Sequence, residues 1–137
     1  MKDMAVVGVL REHGLRPTQQ RIAIYRYLLE HPVHPTAEVI FRELKPTLPS
    51  CSLMTVYNAL DALAEAGLVR VVTVEAGVQH FDATVGDHGH FRCKTCSHIY
   101  DFPLTPENVS VPTLSGFQIQ AQDLYCTGIC PTCASAQ

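Results

Sequence analysis

Twenty-two consecutive residues, His80 to Asp101, read HFDATVGDHGHFRCKTCSHIYD and hold four of the chain's seven histidines, two of its six cysteines and three aspartates. Imidazole, thiol and carboxylate groups at this density point first to metal coordination. Two donor sets of different character are interleaved. Cys93 and Cys96 form a Cys-x2-Cys knuckle, and the other such pair, Cys130 and Cys133, follows after 33 intervening residues. Four thiolates suit tetrahedral zinc in a site that staples a fold. Asp82, His88, His90 and Asp101 supply a harder mixed set that suits Fe(II), Mn(II) or Zn(II) in a more exchangeable site. One site is expected to build and the other to sense.

A chain of 137 residues can bury one moderate core, or two small ones if a staple holds the second. An apolar content of 47% excludes wholesale disorder, and no apolar run approaches the length that crosses a bilayer, so no membrane partner is expected. The first residues, MKDMAVVGVLREHG, place acidic groups on both sides of a short apolar patch and do not read as a signal peptide. Paired knuckles belong to a compartment that keeps thiols reduced, which reads as cytoplasmic. Charge is segregated. Residues 1–29 carry Lys2, Arg11, Arg16, Arg21 and Arg26 against Asp3 and Glu12, whereas residues 76–137 carry Arg92 and Lys94 against five acidic groups. A basic front and an acidic back fit a first half that meets phosphate and a second half that holds cations, although solvated charge alone explains the pattern equally well.

Taken in order, residues 3–13 predict a short helix ended by Gly14. Pro17 and Thr18 then open a second helix with Ile22, Tyr25, Leu28 and Leu29 at helical spacing. His31-Pro32 stops it. Thr36 caps a third helix whose stripe is Ala37, Ile40, Phe41 and Leu44, and Ser50 or Ser52 caps a fourth in which Leu53, Val56, Leu60 and Leu63 face inward. LVRVVTV and VQHFD follow as a hairpin around Glu75-Ala76-Gly77. Three helices and a hairpin are the winged helix-turn-helix arrangement. Beyond Asp82 the pattern changes to short strands at about 89–93, 98–102, 116–121 and 123–127. The division expected is a winged helix-turn-helix over residues 1–82, a hinge at 83–87 and an α/β domain over 88–137, an α+β chain overall.

In such an arrangement the fourth helix reads DNA. Thr55, Tyr57 and Asn58 could reach base edges, with Arg16, Arg21 and Arg70 on phosphates. Without the hairpin these residues would read as ordinary half-buried or solvated positions.

The strings GLRPTQQR, HPTAE, TVYNALDALAEAGLV, HFD, DHGHFRCKTC, IYDF and GICPTC, in this order along nearly the whole chain, resemble the ferric uptake regulator superfamily, and within it the peroxide-sensing branch. The resemblance implies a homodimeric, metal-dependent transcriptional repressor that binds double-stranded DNA at an A·T-rich inverted repeat. It implies dimerisation through the C-terminal α/β part and structural zinc on Cys93, Cys96, Cys130 and Cys133. It places regulatory Fe(II) or Mn(II) on His34, Asp82, His88, His90 and Asp101, and it alone supplies His34. It further implies that peroxide oxidises a ligand histidine, with His34 and His88 as the targets, and no catalytic residue is assigned. Aspartates rather than glutamates at 82 and 101 favour the peroxide branch. The alternative within the family is repression by iron or zinc without peroxide chemistry.

Some positions depart from the family pattern. Gln122 stands where many relatives have His, and residues 108–115 are shorter and more Pro-interrupted than the usual dimerisation helix. Cys126 and Cys51 read as small buried hydrophobes. His80 reads as a wing residue or as an extra ligand. Outside the family, a rubredoxin-type electron carrier would place Gly after each knuckle, where Ser97 and Ala134 stand, and a zinc hydrolase would leave the helical half unexplained.

Overall fold

Three helices of the first half begin where a side-chain oxygen takes an orphan backbone N–H. The computed structural model describes residues 3–83, 88–119 and 122–136, apart from the side chains of 108 and 109, and divides into two compact units, Met1–Val85 and Gly86–Gln137. Of the expected hinge only Ala83 is described, and residues 84–87 lie outside the described residues.

In the first unit α1 spans Asp3–Glu12, α2 Gln19–Glu30, α3 Ala37–Leu44 and α4 Leu53–Glu65. Thr18, Thr36 and Ser52 are the N-caps of α2, α3 and α4, accepting from the backbone N–H of Arg21, Val39 and Thr55. Strands β1 (Arg70–Val72) and β2 (His80–Asp82) pair antiparallel with Arg70 opposite Asp82, Val71 opposite Phe81 and Val72 opposite His80. Gly77, at φ 75°, supplies a left-handed residue in their connection. Val6, Leu10, Ile24, Tyr25, Leu28, Ile40, Val56, Leu60, Leu63 and Phe81 are among the buried residues of one cluster under this winged helix. On α2 the buried face is Ile24, Tyr25 and Leu28, while Ile22 and Leu29 are only half-buried. That helix packs against α1, α3 and α4, so its covered arc is wider than the single stripe the spacing predicts. The backbone N–H of Phe81 donates to the Pro35 carbonyl at 2.9 Å and ties the hairpin to the segment ahead of α3.

In the second unit β3 (His88–Cys93) is central, flanked by antiparallel β4 (Ile99–Pro103) and parallel β5 (Tyr125–Gly128). Short helices α5 (Pro106–Val109) and α6 (Pro131–Ser135) and a 3-10 turn at Pro112–Leu114 complete the described elements. The strand expected at 116–121 is not formed over 116–119, and residues 120 and 121 lie outside the described residues. Its apolar residues have no buried face to pack on, since Phe117 is 68% and Ile119 47% exposed. Cys126, expected to be buried, is exposed on β5, a strand at the edge of the described sheet. Gly89 sits across from Phe102, and a Cβ at this position would come within 2.2 Å of the Phe102 ring. The ring occupies the space that a side chain would need, which is why β3 carries glycine between its two histidines. No helix among the described residues is long and apolar enough to cross a membrane.

Candidate metal centres

Parallel pairing of β3 with β5, with Cys93 opposite Gly128, brings the two knuckles to one end of the sheet. Cys93 ends β3, and the turn after it closes with Ser97 N–H donating to the Cys93 carbonyl at 2.9 Å and Cys93 N–H to that of His98 at 3.0 Å. Ser97 takes φ 65°, a left-handed conformation that glycine would adopt more cheaply. Cys130 caps α6, and the Lys94 N–H reaches the Gly128 carbonyl at 2.7 Å, holding the second knuckle beside the first. Donor atoms of Cys93, Cys96, Cys130 and Cys133 all lie within 4.8 Å of one another, and Cys96 Sγ is 3.9 Å from Cys130 Sγ. A tetrahedron with metal–sulfur bonds of about 2.3 Å has edges of about 3.8 Å, so the four sulfurs fit zinc.

The surrounding groups favour thiolates on one side of this cluster. Backbone N–H groups of Cys96 and Cys130 donate to Cys93 Sγ at 3.5 and 3.4 Å and bring its thiol down to about 6. The Tyr100 hydroxyl, followed by the Cys133 N–H, lowers Cys130, and the same bond pushes Tyr100 up to about 12. Cys133 is pushed up to about 12, first by the hydrogen bond of its thiol to Cys130. Two sulfurs are thus prepared to ionise, and the third shares its proton until a cation replaces it.

The harder donors fall in two groups, one in each unit. In the first unit His34 lies between α2 and α3 with a left-handed backbone, φ 56°, uncommon for a residue with a Cβ. Its Nε2 is 3.6 Å from Asp82 Oδ2, and both side chains are buried, at 3% and 2% exposure. A buried carboxylate beside an imidazole suits a site that takes a cation. In the second unit His88 and His90 are two apart on β3 and share a face, their ring centroids 4.6 Å apart. Asp101 lies directly opposite His90 in the β3–β4 register. Its Oδ1 is 3.4 Å from His90 Nε2 and 3.8 Å from His88 Nε2. All three imidazole–carboxylate separations exceed an ordinary hydrogen bond. Two donors sharing one ion with bonds of about 2.1 Å stand about 3.0 to 3.5 Å apart, close to what each pair shows. The donor chemistry suits Fe(II), Mn(II) or Zn(II).

His80, which the sequence left between wing residue and ligand, has both ring nitrogens engaged inside the first unit. Nδ1 meets the His34 carbonyl at 2.6 Å and Nε2 the Glu75 carboxylate at 3.0 Å. It is a wing residue.

The candidate DNA-reading residues also find places. Asn58 is exposed on α4, while the Thr55 hydroxyl is 2.9 Å from Ser52 Oγ at the helix start. Tyr57 donates its hydroxyl to Glu38 Oε1 at 2.7 Å, an interaction that lowers the Glu38 carboxyl and raises the Tyr57 phenol. Glu38, Tyr57, Gly77, Val78 and Gln79 line a cleft of about 380 Å³ between this helix and the hairpin connection. Arg16 is exposed ahead of α2, its carbonyl accepting from Arg21 Nη1 at 3.2 Å, and Arg70 starts β1. Sequence reasoning missed Glu38. Its place in HPTAE, in the first turn after the Thr36 cap, carried no sign of a partner on another helix.

Residues 12–127 match the model of the ferric uptake regulator family. A peroxide operon regulator of Bacillus subtilis is 35% identical over 131 residues, covering 93% of this chain and 90% of that protein. The solved structure of the peroxide-sensing regulator of Streptococcus pyogenes is 30% identical with a TM-score of 0.55, covering 96% of this chain and 92% of that one. The ferric uptake regulator of Helicobacter pylori, at 20% identity, shares the fold with a TM-score of 0.77 over 98% of this chain and 95% of its own. Winged helix, four-thiolate cluster and imidazole–carboxylate donors thus lie on a chain that belongs to the ferric uptake regulator family.

Proposed function

We propose that this chain is a homodimeric, metal-dependent repressor that releases DNA when peroxide oxidises one of its own metal ligands. The observation that carries this reading is the set of three imidazole–carboxylate pairs at 3.6, 3.8 and 3.4 Å, each offering Nε2 and one carboxylate oxygen. His34 and Asp82 contribute two donors, and His88, His90 and Asp101 contribute three. Neither group alone fills the coordination shell of a first-row divalent ion, whereas one ion shared by the five would be well held. The chain would then be fixed in the arrangement that reads DNA, because a ligand favours the state to which it binds best. Thr55, Tyr57 and Asn58 would meet base edges and Arg16, Arg21 and Arg70 phosphates. A two-fold dimer presents two such helices, so its operator is an inverted repeat spaced by the DNA helical turn, A·T-rich as elsewhere in the family.

Fe(II), held by His34, Asp82, His88, His90 and Asp101, would supply the redox chemistry that activates hydrogen peroxide, lending electrons and recovering them so that the iron is unchanged overall. In net terms peroxide transfers one oxygen atom to an imidazole carbon of His34 or His88 and leaves as water. Oxygen on that ring weakens its nitrogen as a donor, the two groups of ligands part, and DNA is released. Aspartates at 82 and 101, with the likeness to the Bacillus subtilis peroxide operon regulator, support peroxide rather than iron supply as the signal. Four-cysteine zinc holds the second unit folded throughout. The cytoplasm, where thiols stay reduced, is the compartment that suits this chemistry.

The test loads the zinc-replete protein with Fe(II) or Mn(II), adds hydrogen peroxide, and follows operator binding together with peptide mass spectrometry. Release from DNA only in the Fe(II) sample, with one added oxygen on His34 or His88, is the expected result. Loss of DNA binding through cysteine oxidation alone, or repression that follows metal supply and ignores peroxide, would refute the peroxide mechanism.

A further inference from the structure

His80 is part of the hairpin, yet it reaches out of it. Along β2, His80 and Asp82 lie two apart and point to one side, and both address the same neighbour. Asp82 faces the His34 imidazole at 3.6 Å, and His80 Nδ1 bonds the His34 carbonyl at 2.6 Å. Between them the Phe81 N–H holds the Pro35 carbonyl at 2.9 Å. A carbonyl can only accept, so Nδ1 carries a proton and donates it to this bond. The opposite ring nitrogen is 3.0 Å from Glu75 Oε2, in the connection between β1 and β2. One imidazole therefore joins the wing turn to the backbone of a proposed metal ligand. That ligand's backbone is held at φ 56°, a conformation that needs local support in a residue other than glycine.

We infer that His80 is a positioning residue for the regulatory metal, fixing His34 through its carbonyl and linking that ligand to the wing through Glu75. This rests on the reading of His34 as a metal ligand. Metal affinity then depends on a side chain that does not touch the ion, as is general where neighbours orient coordinating groups. The same link makes the position of the wing answer to metal occupancy, and by reciprocity lets a wing held on DNA favour metal binding.

Two conservative substitutions separate the two ends of the ring. Asparagine places an amide N–H near the position of Nδ1, and glutamine places one near Nε2. Mn(II) affinity is measured on the full-length, zinc-replete protein by competition with a fluorescent chelator, alongside zinc content and thermal midpoint. His80→Gln should weaken Mn(II) binding about fivefold to tenfold, the effect of losing one hydrogen bond to an ordered group, with zinc retained. His80→Asn should stay within about twofold of the unsubstituted protein, a rescue that a generic packing role does not give. Glu75→Ala, which like His80→Asn removes only the bond at Nε2, should also stay within about twofold, and the double variant with His80→Gln should be no weaker than His80→Gln alone, since both act through one ring. The metal-dependent gain in operator affinity should shrink with the loss of metal affinity in His80→Gln. Unchanged Mn(II) affinity in His80→Gln, or equal losses in the two His80 variants, overturns the inference while leaving the metal reading intact. Full Mn(II) binding by His34→Ala overturns that reading, and the role of His80 with it.

Discussion

Removing zinc should unfold the second unit and leave the first intact. Among the described residues of the second unit, the buried apolar side chains are Cys93, Ile99 and Cys130, and two of these belong to the four-cysteine cluster that fits zinc. Complete burial of an aliphatic side chain such as Ile99 is worth about 1.5–3 kcal/mol. Structural zinc in small domains contributes about 10–16 kcal/mol near neutral pH. The ion therefore outweighs the apolar core several-fold, and no rearrangement of Ile99 and its half-buried neighbours can replace it. The first unit is the reverse case, since its core cluster runs from Val6 to Ala83 and includes no member of the four-cysteine cluster. Cys93→Ser, or a strong chelator with a reductant present, supplies the perturbation. Hydrogen exchange read by mass spectrometry supplies the assay. Amides of β3, β4 and β5 should lose protection together, while those of α2 and α4 keep theirs and the helical circular dichroism falls only slightly. Continued protection of residues 88–93 after zinc is shown to be gone would refute the reasoning.

Zinc affinity should rise with pH, because the metal takes thiolates and the metal-free cluster holds protons. Cys133, pushed up to about 12, is still protonated at neutral pH, whereas Cys93, brought down to about 6, is already largely ionised. Binding at neutral pH therefore expels the Cys133 proton, and below about 6 that of Cys93 as well, so the fall in affinity steepens on acidification. Calorimetric titration in buffers of different ionisation enthalpy measures the protons released, and zero release would contradict this account. Gly89→Ala should cost about 1–3 kcal/mol by driving the Phe102 ring from its place, and should weaken Mn(II) binding by disturbing the histidines on either side. A denaturant midpoint equal to that of the unsubstituted protein would mean the ring turns away freely. Ser52→Ala removes the cap of α4 and should cost about 1 kcal/mol, lowering the thermal midpoint of the first unit by about 4–8 °C. A midpoint unchanged within error would assign that N–H another acceptor.

Local chemistry made the helical half legible. Thr18, Thr36 and Ser52 are caps because a hydroxyl one residue before an apolar period has an orphan N–H to accept, and this needs no knowledge of the rest of the chain. The extent of burial on α2 was less legible, since Ile24 outranks Ile22 only once three helices surround it. At 116–119 apolar residues suggested a strand that is not formed, because a strand is stabilised by partners elsewhere in the chain rather than by its own composition. Cys126 failed for a similar reason, its burial depending on what covers the edge of a sheet.

The metal donors divide along the same line. Spacing alone identified the two knuckles, because Cys-x2-Cys turns bring two sulfurs to one ion wherever they occur, and it placed His88 and His90 on one strand face through the period of two. Only tertiary structure put Asp101 opposite His90, seated His34 against Asp82, and turned His80 from a possible ligand into a tie between Glu75 and the His34 backbone. Those contacts join residues up to 48 positions apart, and which of many distant groups meet is decided by how helices and strands pack rather than by the residues near either one.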